Sequence, residues 1–529
     1  MPLPTPQQRA VLAEVRDGSR NLAVDAVAGA GKTTTIVDAC RLAAGRVGFT
    51  AFGAGIAAEL QARLGGVATA TTLHAHGFSL LVRSRQGIDV NRKAYGKTRA
   101  HLERLAPDLH RRGRGRWADR LFLKDEWADL PAAVAVCKQQ NLYPREDAAA
   151  VEAAAWRQGV TLPPVDDGRR AAFWWLVDRA LDETLDDPRA CDFDDMIFMP
   201  LRLGRAAAAF DTLFVDEVQD LNPAQQSLAL ATGERAVIVG DPRQAIMGFA
   251  GADPRGFDAL RARLAAAPRG LVDLPLSCCF RCPESHLRLA RLLVPHVEAG
   301  AFADEGEVGE RRADDLVRDA RPGDMVLCRA RAPLTRVALR LLAAGRPVLV
   351  RGRKIGDNLL ALLRELAPPT PADLMYRLDR WERGQIEKLE AADAPEEAFE
   401  EAEDRAASLR AIAGRCQTTA DVENLLARLH GDADAPGDRV LCCTVHRAKG
   451  LEAGRVWLYE PGLMPGRGGG QELNVLYVAL TRAKESLFFV DDEVRRKHRF
   501  DEWVRRVAEG YVRADLTDHH RVEETSHAV

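Results

Sequence analysis

The stretch NLAVDAVAGAGKTTTIVDAC (21–40) constrains this chain more than any other. NLAVDAV is a short apolar run that reads as a buried strand, and TTTIVDAC opens a helical pattern. Between them AVAGAGKTT (26–34) is built of small residues, which let backbone N–H groups close around phosphate oxygens at a helix N-terminus. Ala28, Gly29, Ala30 and Gly31 would supply that cradle. Lys32 would reach the β- and γ-phosphates, Thr33 would hold Mg²⁺, and Thr34 would flank the nucleotide. Ala26 stands where such loops usually begin with glycine. A strand, loop and helix of this kind sit at the carboxyl edge of a parallel sheet.

Further apolar runs continue the theme: RVGFTAF (46–52), TLFVDE (212–217) and RAVIVGD (235–241). A second series follows: DMVLCRA (324–330), RPVLVRG (346–352), RVLCCTV (439–445), RVWLYEP (455–461) and SLFFVDD (486–492). Alternation of such runs with helical patterns indicates an α/β fold with two parallel-sheet domains. Each sheet is interrupted by a mainly helical segment. The domains expected are 1–82 with 196–274, an insert at 83–195, then 275–355 with 437–513, a smaller insert at 356–436, and a polar tail at 514–529.

The strand TLFVDE ends in two carboxylates. Asp216 can complete a Mg²⁺ shell and Glu217 can orient an attacking water. Alone, such a pair is as consistent with surface as with site; beside a phosphate loop it reads as nucleotide hydrolysis. VGDPRQAIMGF (239–249) puts Gln244 just past another strand end, where it could sense the γ-phosphate and pass its presence to the loop of Phe249.

Composition sets bounds on these readings. Hydrophobic content of 47% and charged content of 29% over 529 residues suit several globular domains. No apolar run is long enough to span a bilayer, and MPLPTPQQRA lacks the apolar core of a secretory leader. Ten scattered cysteines suit a reducing compartment, so a cytoplasmic location is expected. The net charge of −3 hides an asymmetry: Arg83–Arg120 carries twelve Lys/Arg against four Asp/Glu, and Glu382–Arg405 carries three against ten. The basic stretch reads as a phosphate-contacting surface and the acidic one as a solvated helical face. The cluster CCFRC (278–282) lacks a second cysteine pair and reads as packing rather than a metal site.

In order along the chain, the motifs resemble those of the UvrD/Rep family of superfamily 1A helicases. PTPQQRAVL is similar to its glutamine motif, with Gln8 as adenine reader. TTLHAHG (71–77) is similar to a motif that touches single strands. LPLSCCFRCP (274–283) would place Phe280 against the adenine and Arg281 on the γ-phosphate. TVHRAKGLE (444–452) would place Glu452 near the ribose. QELNVLYVALTRAKE (471–485) would bring Arg482, at the lip of the second domain, across a cleft to the γ-phosphate. The resemblance implies two RecA-like domains and an ATP- and Mg²⁺-dependent motor moving 3′ to 5′ on single-stranded DNA and acting at junctions with duplex. Lys32, Glu217, Gln244, Arg281 and Arg482 would carry hydrolysis, while Phe52, Thr72, His74, Phe249, Thr444 and His446 would touch DNA. RNA remains the less favoured strand.

The departures are specific. Thr34 replaces an arginine that stacks on the base, Met247 replaces a tyrosine, and AFGAG (51–55) lacks an asparagine. The second insert is shorter than in larger members. Two rival readings follow: a motor subunit working with a nuclease in repair or antiviral defence, and a DNA-responsive ATPase switch that does not unwind.

Overall fold

The computed structural model describes residues 3–51, 53–84, 97–105, 122, 124–164, 168–187, 190–248, 251, 255–391, 396–431, 437–459, 470–491 and 504. These group into two compact units. One runs through Ala26 and resumes from Gly31 to Leu276; the other starts at Ser277 and also takes in Val27–Ala30.

The first unit is built on six strands: β1 (Asn21–Ala26), β2 (Val47–Ala51), β3 (Thr69–Thr72), β4 (Phe210–Val215), β5 (Gly233–Gly240) and β6 (Leu271–Leu276). Their order is β3-β2-β4-β5-β1-β6, and every pairing is parallel. Strands buried on both faces must be apolar throughout; β2 is buried at every position, and β4 at all but one. Leu213, Val215 and Ile238 pack with Phe257 and Leu260 of the helix Gly256–Ala266.

Between β3 and β4 the described chain is mainly helical; inside the flanking helices Leu73–Ser84 and Asp195–Arg202 lie Lys97–Leu105, Lys124–Gln140, Ala148–Arg157 and Arg169–Asp186. These helices have a core of their own, in which Leu130, Val134, Phe173, Val177 and Leu181 meet. In FWWL the residues Phe173, Trp174 and Leu176 are buried, but Trp175 is 57% exposed, so only one of the two tryptophans serves that core. A buried ionic cluster ties the helices together. Lys138 Nζ lies 2.6 Å from Asp192 and 2.7 Å from Asp195, and Lys97 Nζ lies 2.9 Å from Asp195.

The second unit carries a short pair, β7 (Cys278–Cys279) with β8 (Glu298–Ala299), and a seven-stranded sheet. Its strands are β9 (Glu307–Arg312), β10 (Met325–Cys328), β11 (Val348–Arg351), β12 (His430–Gly431), β13 (Val440–Thr444), β14 (Ala453–Tyr459) and β15 (Ala483–Asp491). They are all parallel in the order β12-β11-β13-β10-β14-β15-β9. Cys442 and Cys443 are fully buried on β13, as packing residues. The helices Arg353–Leu366, Pro371–Ala391, Glu396–Ala413 and Thr419–Leu429 do not form a separate core. Leu363, Leu378, Leu409 and Leu426 join one continuous cluster with Val326, Val350 and Val440 of the sheet.

Candidate active site

Two glycines set the phosphate loop. Gly29 (φ 70°) and Gly31 (φ 71°) take left-handed backbone that side chains resist. The chain thus turns directly into the helix Lys32–Cys40, whose N-cap is Gly31 and whose first turn has no side-chain cap. Its free N–H groups and helix dipole suit an anion. Ile36 and Val37 anchor the helix in the core, and Thr34 stays exposed.

Lys32 is largely buried, and its Nζ lies 3.8 Å from Glu217 Oε1. Asp216 and Glu217 follow the end of β4. Glu217 has φ 51°, uncommon for a residue with a side chain, and its N–H donates to Asp216 Oδ1 at 2.9 Å. Burial pushes the Asp216 carboxyl up to about 7, the Glu217 charge adds to the push, and Lys32 opposes it.

From Glu217 a chain of hydrogen bonds runs on through residues that the sequence did not single out. Gln219 Nε2 donates to the Glu217 carboxylate, and Gln219 Oε1 accepts the Asp241 N–H at 3.1 Å. The fully buried Asp241 carboxylate accepts from Gln244 Nε2 at 2.7 Å. Arg243 forks onto Asp25 at 2.6 and 2.9 Å, closing the network against the end of β1. Gln219, Asp241, Arg243 and Asp25 were findable: each lies at or just beyond the carboxyl end of β1, β4 or β5, where ligands gather in open parallel sheets.

Gln8 has a structural duty. Its side-chain oxygen accepts the Thr5 N–H at 2.9 Å and its own N–H donates to Thr5 Oγ1, a capping box that starts the helix Pro6–Asp17. Its Nε2 donates to Thr35 Oγ1 at 3.0 Å, fastening that helix to the one after the phosphate loop.

Within the second unit, Ala28 N–H donates to the Tyr477 hydroxyl at 3.0 Å and the Gly29 carbonyl accepts from Phe280 N–H at 2.9 Å. Phe280 is 52% exposed. Arg281 Nε donates to Glu452 Oε2 at 2.7 Å, and Lys484 Nζ holds Glu452 Oε1 at 2.9 Å. Burial raises the Glu452 carboxyl, but Lys484 and Arg281 together bring it below its ordinary value.

Arg482 is not at the lip of this unit. It is 1% exposed, between the helix Gly470–Leu480 and β15, and donates to Val478 O (2.9 Å), Leu451 O (3.2 Å) and Thr481 Oγ1 (3.1 Å). TRAKE looks like a polar break between two apolar runs, but AKE is already strand. The arginine therefore falls inside the helix-to-strand joint, where its charge meets carbonyl oxygens.

Of the residues expected to touch a strand, Phe52 and Phe249 lie outside the described residues. Thr72 caps the helix Leu73–Ser84 by accepting the Ala75 N–H at 3.1 Å. His74 stacks on Phe193 with ring centroids 3.7 Å apart, and burial drops its imidazole to about 4, so the ring is neutral. Phe193 is 62% exposed and presents its other face outward. In the second unit, Thr444 ends β13 and is buried, while burial and Arg329 lower His446 to about 4. Much of the basic stretch 83–120 lies outside the described residues.

Thr33 and Asp216 offer hard oxygen donors, and Mg²⁺ needs only one or two protein oxygens beside the nucleotide's phosphates and water. A buried carboxylate pushed up to about 7 is a site short of positive charge, which fits a divalent cation. Among the described residues no cluster of three or more His, Cys, Asp or Glu is arranged to hold a metal, CCFRC included.

A phosphate loop, a following carboxylate pair and two parallel sheets define a P-loop nucleotide hydrolase of RecA-like architecture. The UvrD/REP helicase N-terminal domain family matches residues 5–265 and the UvrD-like helicase C-terminal domain family matches residues 439–490. The chain belongs to the UvrD/Rep-type helicase family. It is also 28% identical over 105 residues to an ATP-dependent helicase/nuclease subunit from Leuconostoc mesenteroides subsp. mesenteroides; that stretch is 20% of this chain and 8% of the relative. No described helix is long and apolar enough to cross a membrane.

Proposed function

We propose that the chain is an ATP-driven motor that moves 3′ to 5′ on single-stranded DNA in the cytoplasm. The observation that carries this reading is the hydrogen-bonded run Glu217–Gln219–Asp241–Gln244. It links the carboxylate beside Lys32 to the loop before Phe249, so that a change at the γ-phosphate reaches a strand-facing segment.

In this mechanism Lys32 and the loop N–H groups bind the triphosphate, and Glu217 takes the proton of the attacking water. Thr33 and Asp216 would hold Mg²⁺, which would supply charge neutralisation at the phosphate oxygens. Gln244 senses the γ-phosphate and Arg281 stabilises the charge that develops in transfer, while the buried Arg482 braces the Thr481 joint onto which Arg281 also donates. Phe280 and Gln8 hold the adenine and Glu452 the ribose. Phe193 on His74 gives a base-stacking face, with Thr72, Phe52, Phe249, Thr444 and His446 along the strand. Stacking of this sort is worth about 1–3 kcal/mol per base and tolerates any sequence.

A second reading is a motor subunit that depends on a nuclease partner. Its support is that, among the described residues, the helices from Arg353 to Leu429 share the core of the second sheet and do not stand apart from it. The Leuconostoc relative's name adds a hint of such a partner.

Steady-state ATP hydrolysis with and without single-stranded DNA, in wild type, Lys32→Ala and Glu217→Gln, tests the motor. DNA should raise wild-type turnover strongly and neither variant should respond. Hydrolysis indifferent to DNA would mean a helicase fold put to another use.

A further inference from the structure

The most unusual chemistry outside the hydrolytic pocket is a pair of thiols flanking two of its expected partners. Cys279 ends β7, Cys282 follows three residues later, and Phe280 and Arg281 lie between them. Both thiols are buried, at 0% and 2% exposure. The backbone turns so that Cys282 N–H donates to Cys279 Sγ at 3.4 Å, which brings the second cysteine back over the first. Cys282 Sγ also lies 3.6 Å from the Thr481 carbonyl, and Arg281 donates to that same oxygen at 3.4 Å.

We propose that Cys279 and Cys282 are a redox-active dithiol, and that its oxidation to a disulfide changes how Phe280 and Arg281 are presented to nucleotide. A Cys-X-X-Cys turn whose first sulfur accepts the N–H of the second cysteine favours the thiolate of the first. The surroundings agree: the Cys282 thiol, the N–H groups of Cys282 and Arg281, and the Arg281 charge hold Cys279 down to about 6 against its burial. Cys282 is pushed the other way, chiefly by its hydrogen bond to Cys279. Five other buried cysteines, Cys40, Cys137, Cys191, Cys442 and Cys443, are raised by burial, as inert core thiols are.

With a peroxide as oxidant the chemistry balances. The Cys279 thiolate attacks one peroxide oxygen, releasing water once protonated and leaving a sulfenic acid. The Cys282 sulfur then displaces that oxygen as a second water. One peroxide is reduced, two thiols are oxidised, and a small-molecule dithiol reverses the change. Closing the bridge must take Cys282 Sγ off the Thr481 carbonyl. That carbonyl also positions Arg281, so the guanidinium's hold on Glu452 and Thr481 O is disturbed with it.

The functional part of this inference rests on the hydrolysis reading above; the bridge itself does not. The test treats the full chain with hydrogen peroxide, blocks remaining thiols under denaturing conditions, and maps disulfides by peptide mass before and after reduction. In parallel it follows DNA-stimulated ATP turnover. We expect a Cys279–Cys282 bridge and a fall in turnover of roughly tenfold or more, a fraction of what losing a transition-state arginine costs, restored by dithiothreitol. Cys278→Ser should respond as wild type does, and the turnover of Cys282→Ser should no longer change with reversible oxidant. Cys279 and Cys282 both remaining blockable after peroxide, or a Cys278–Cys279 bridge instead, would overturn the proposal. So would a bridge that leaves turnover unaltered. Absence of any ATP turnover in the reduced protein would instead count against the motor reading.

Discussion

Asp216 and Arg482 are both buried charges, and the two call for opposite treatment. Asp216 is lifted from 3.8 to about 7, so between those values the folded chain binds a proton that the unfolded chain does not. Its contribution to stability is complete below about 3.8 and is lost as pH rises through about 7. Melting temperatures of wild type and Asp216→Asn, measured without nucleotide from pH 5 to 8, should show wild type losing ground to the variant as pH rises. Parallel curves would remove Asp216 as the titrating group. Arg482 stays charged, and its donors are spent on Val478 O, Leu451 O and Thr481 Oγ1. Arg482→Ala takes a donor from each of those acceptors at a fully buried position and should cost about 2 kcal/mol or more of stability. Arg281→Ala, at a partly exposed side chain, should melt close to wild type yet lose most of its turnover. Denaturant unfolding and ATPase assays on the two variants separate those effects. A full-stability Arg482→Ala would mean that its carbonyl contacts are incidental.

At the scale of elements, legibility in the sequence followed burial. Every interior strand of both sheets stood out as an apolar run. In these two sheets the strands that went unread are the four edges, β3 (TATT), β6 (LVDLPL), β9 (EVGERR) and β12 (HG); the two-residue pair β7 and β8 went unread as well. An edge strand has one neighbour and much exposed surface, so it can be polar, or carry Pro275 as β6 does. The same holds for the site. Lys32, Asp216 and Glu217 stood out because loop and strand signals adjoin them, whereas Gln219 and Asp241, though just past strand ends, bond to each other across 22 residues, a contact that no local pattern shows. Phe193 was hidden for a related reason: its stacking partner His74 is more than a hundred residues away in sequence. Phe193→Ala should weaken single-stranded DNA binding by about 1–3 kcal/mol while DNA-free hydrolysis holds; unchanged affinity would reject the stacking face. Between helices, the Lys138 cluster makes a sharper claim. Lys138→Met takes away one of the two lysines that pair with Asp195, itself 0% exposed, and should cost about 3 kcal/mol in denaturant unfolding. Arg104→Ala, which breaks the exposed pair with Glu183, should cost at most about 1 kcal/mol.

For the whole molecule, the question is what the proposed motor could do alone. Its first unit carries an insert with a core of its own, while the helices from Arg353 to Leu429 are continuous with the second sheet's core. Elements that share a core move as one body, so those helices follow the sheet instead of swinging against it to lever duplex apart. Stepping on a single strand needs no such lever. It needs only ATP-dependent change between the units and alternating grip. Translocation and unwinding should therefore part company. On single-stranded DNA labelled with streptavidin at either end, ATP should speed displacement from the 5′ end, the end a 3′ to 5′ motor reaches. A duplex with a 3′ tail should open slowly or not at all until a nuclease or other partner is supplied. Displacement only at the 3′ end would reverse the polarity. Rapid unaided unwinding would mean that the fused helices are enough to part the strands.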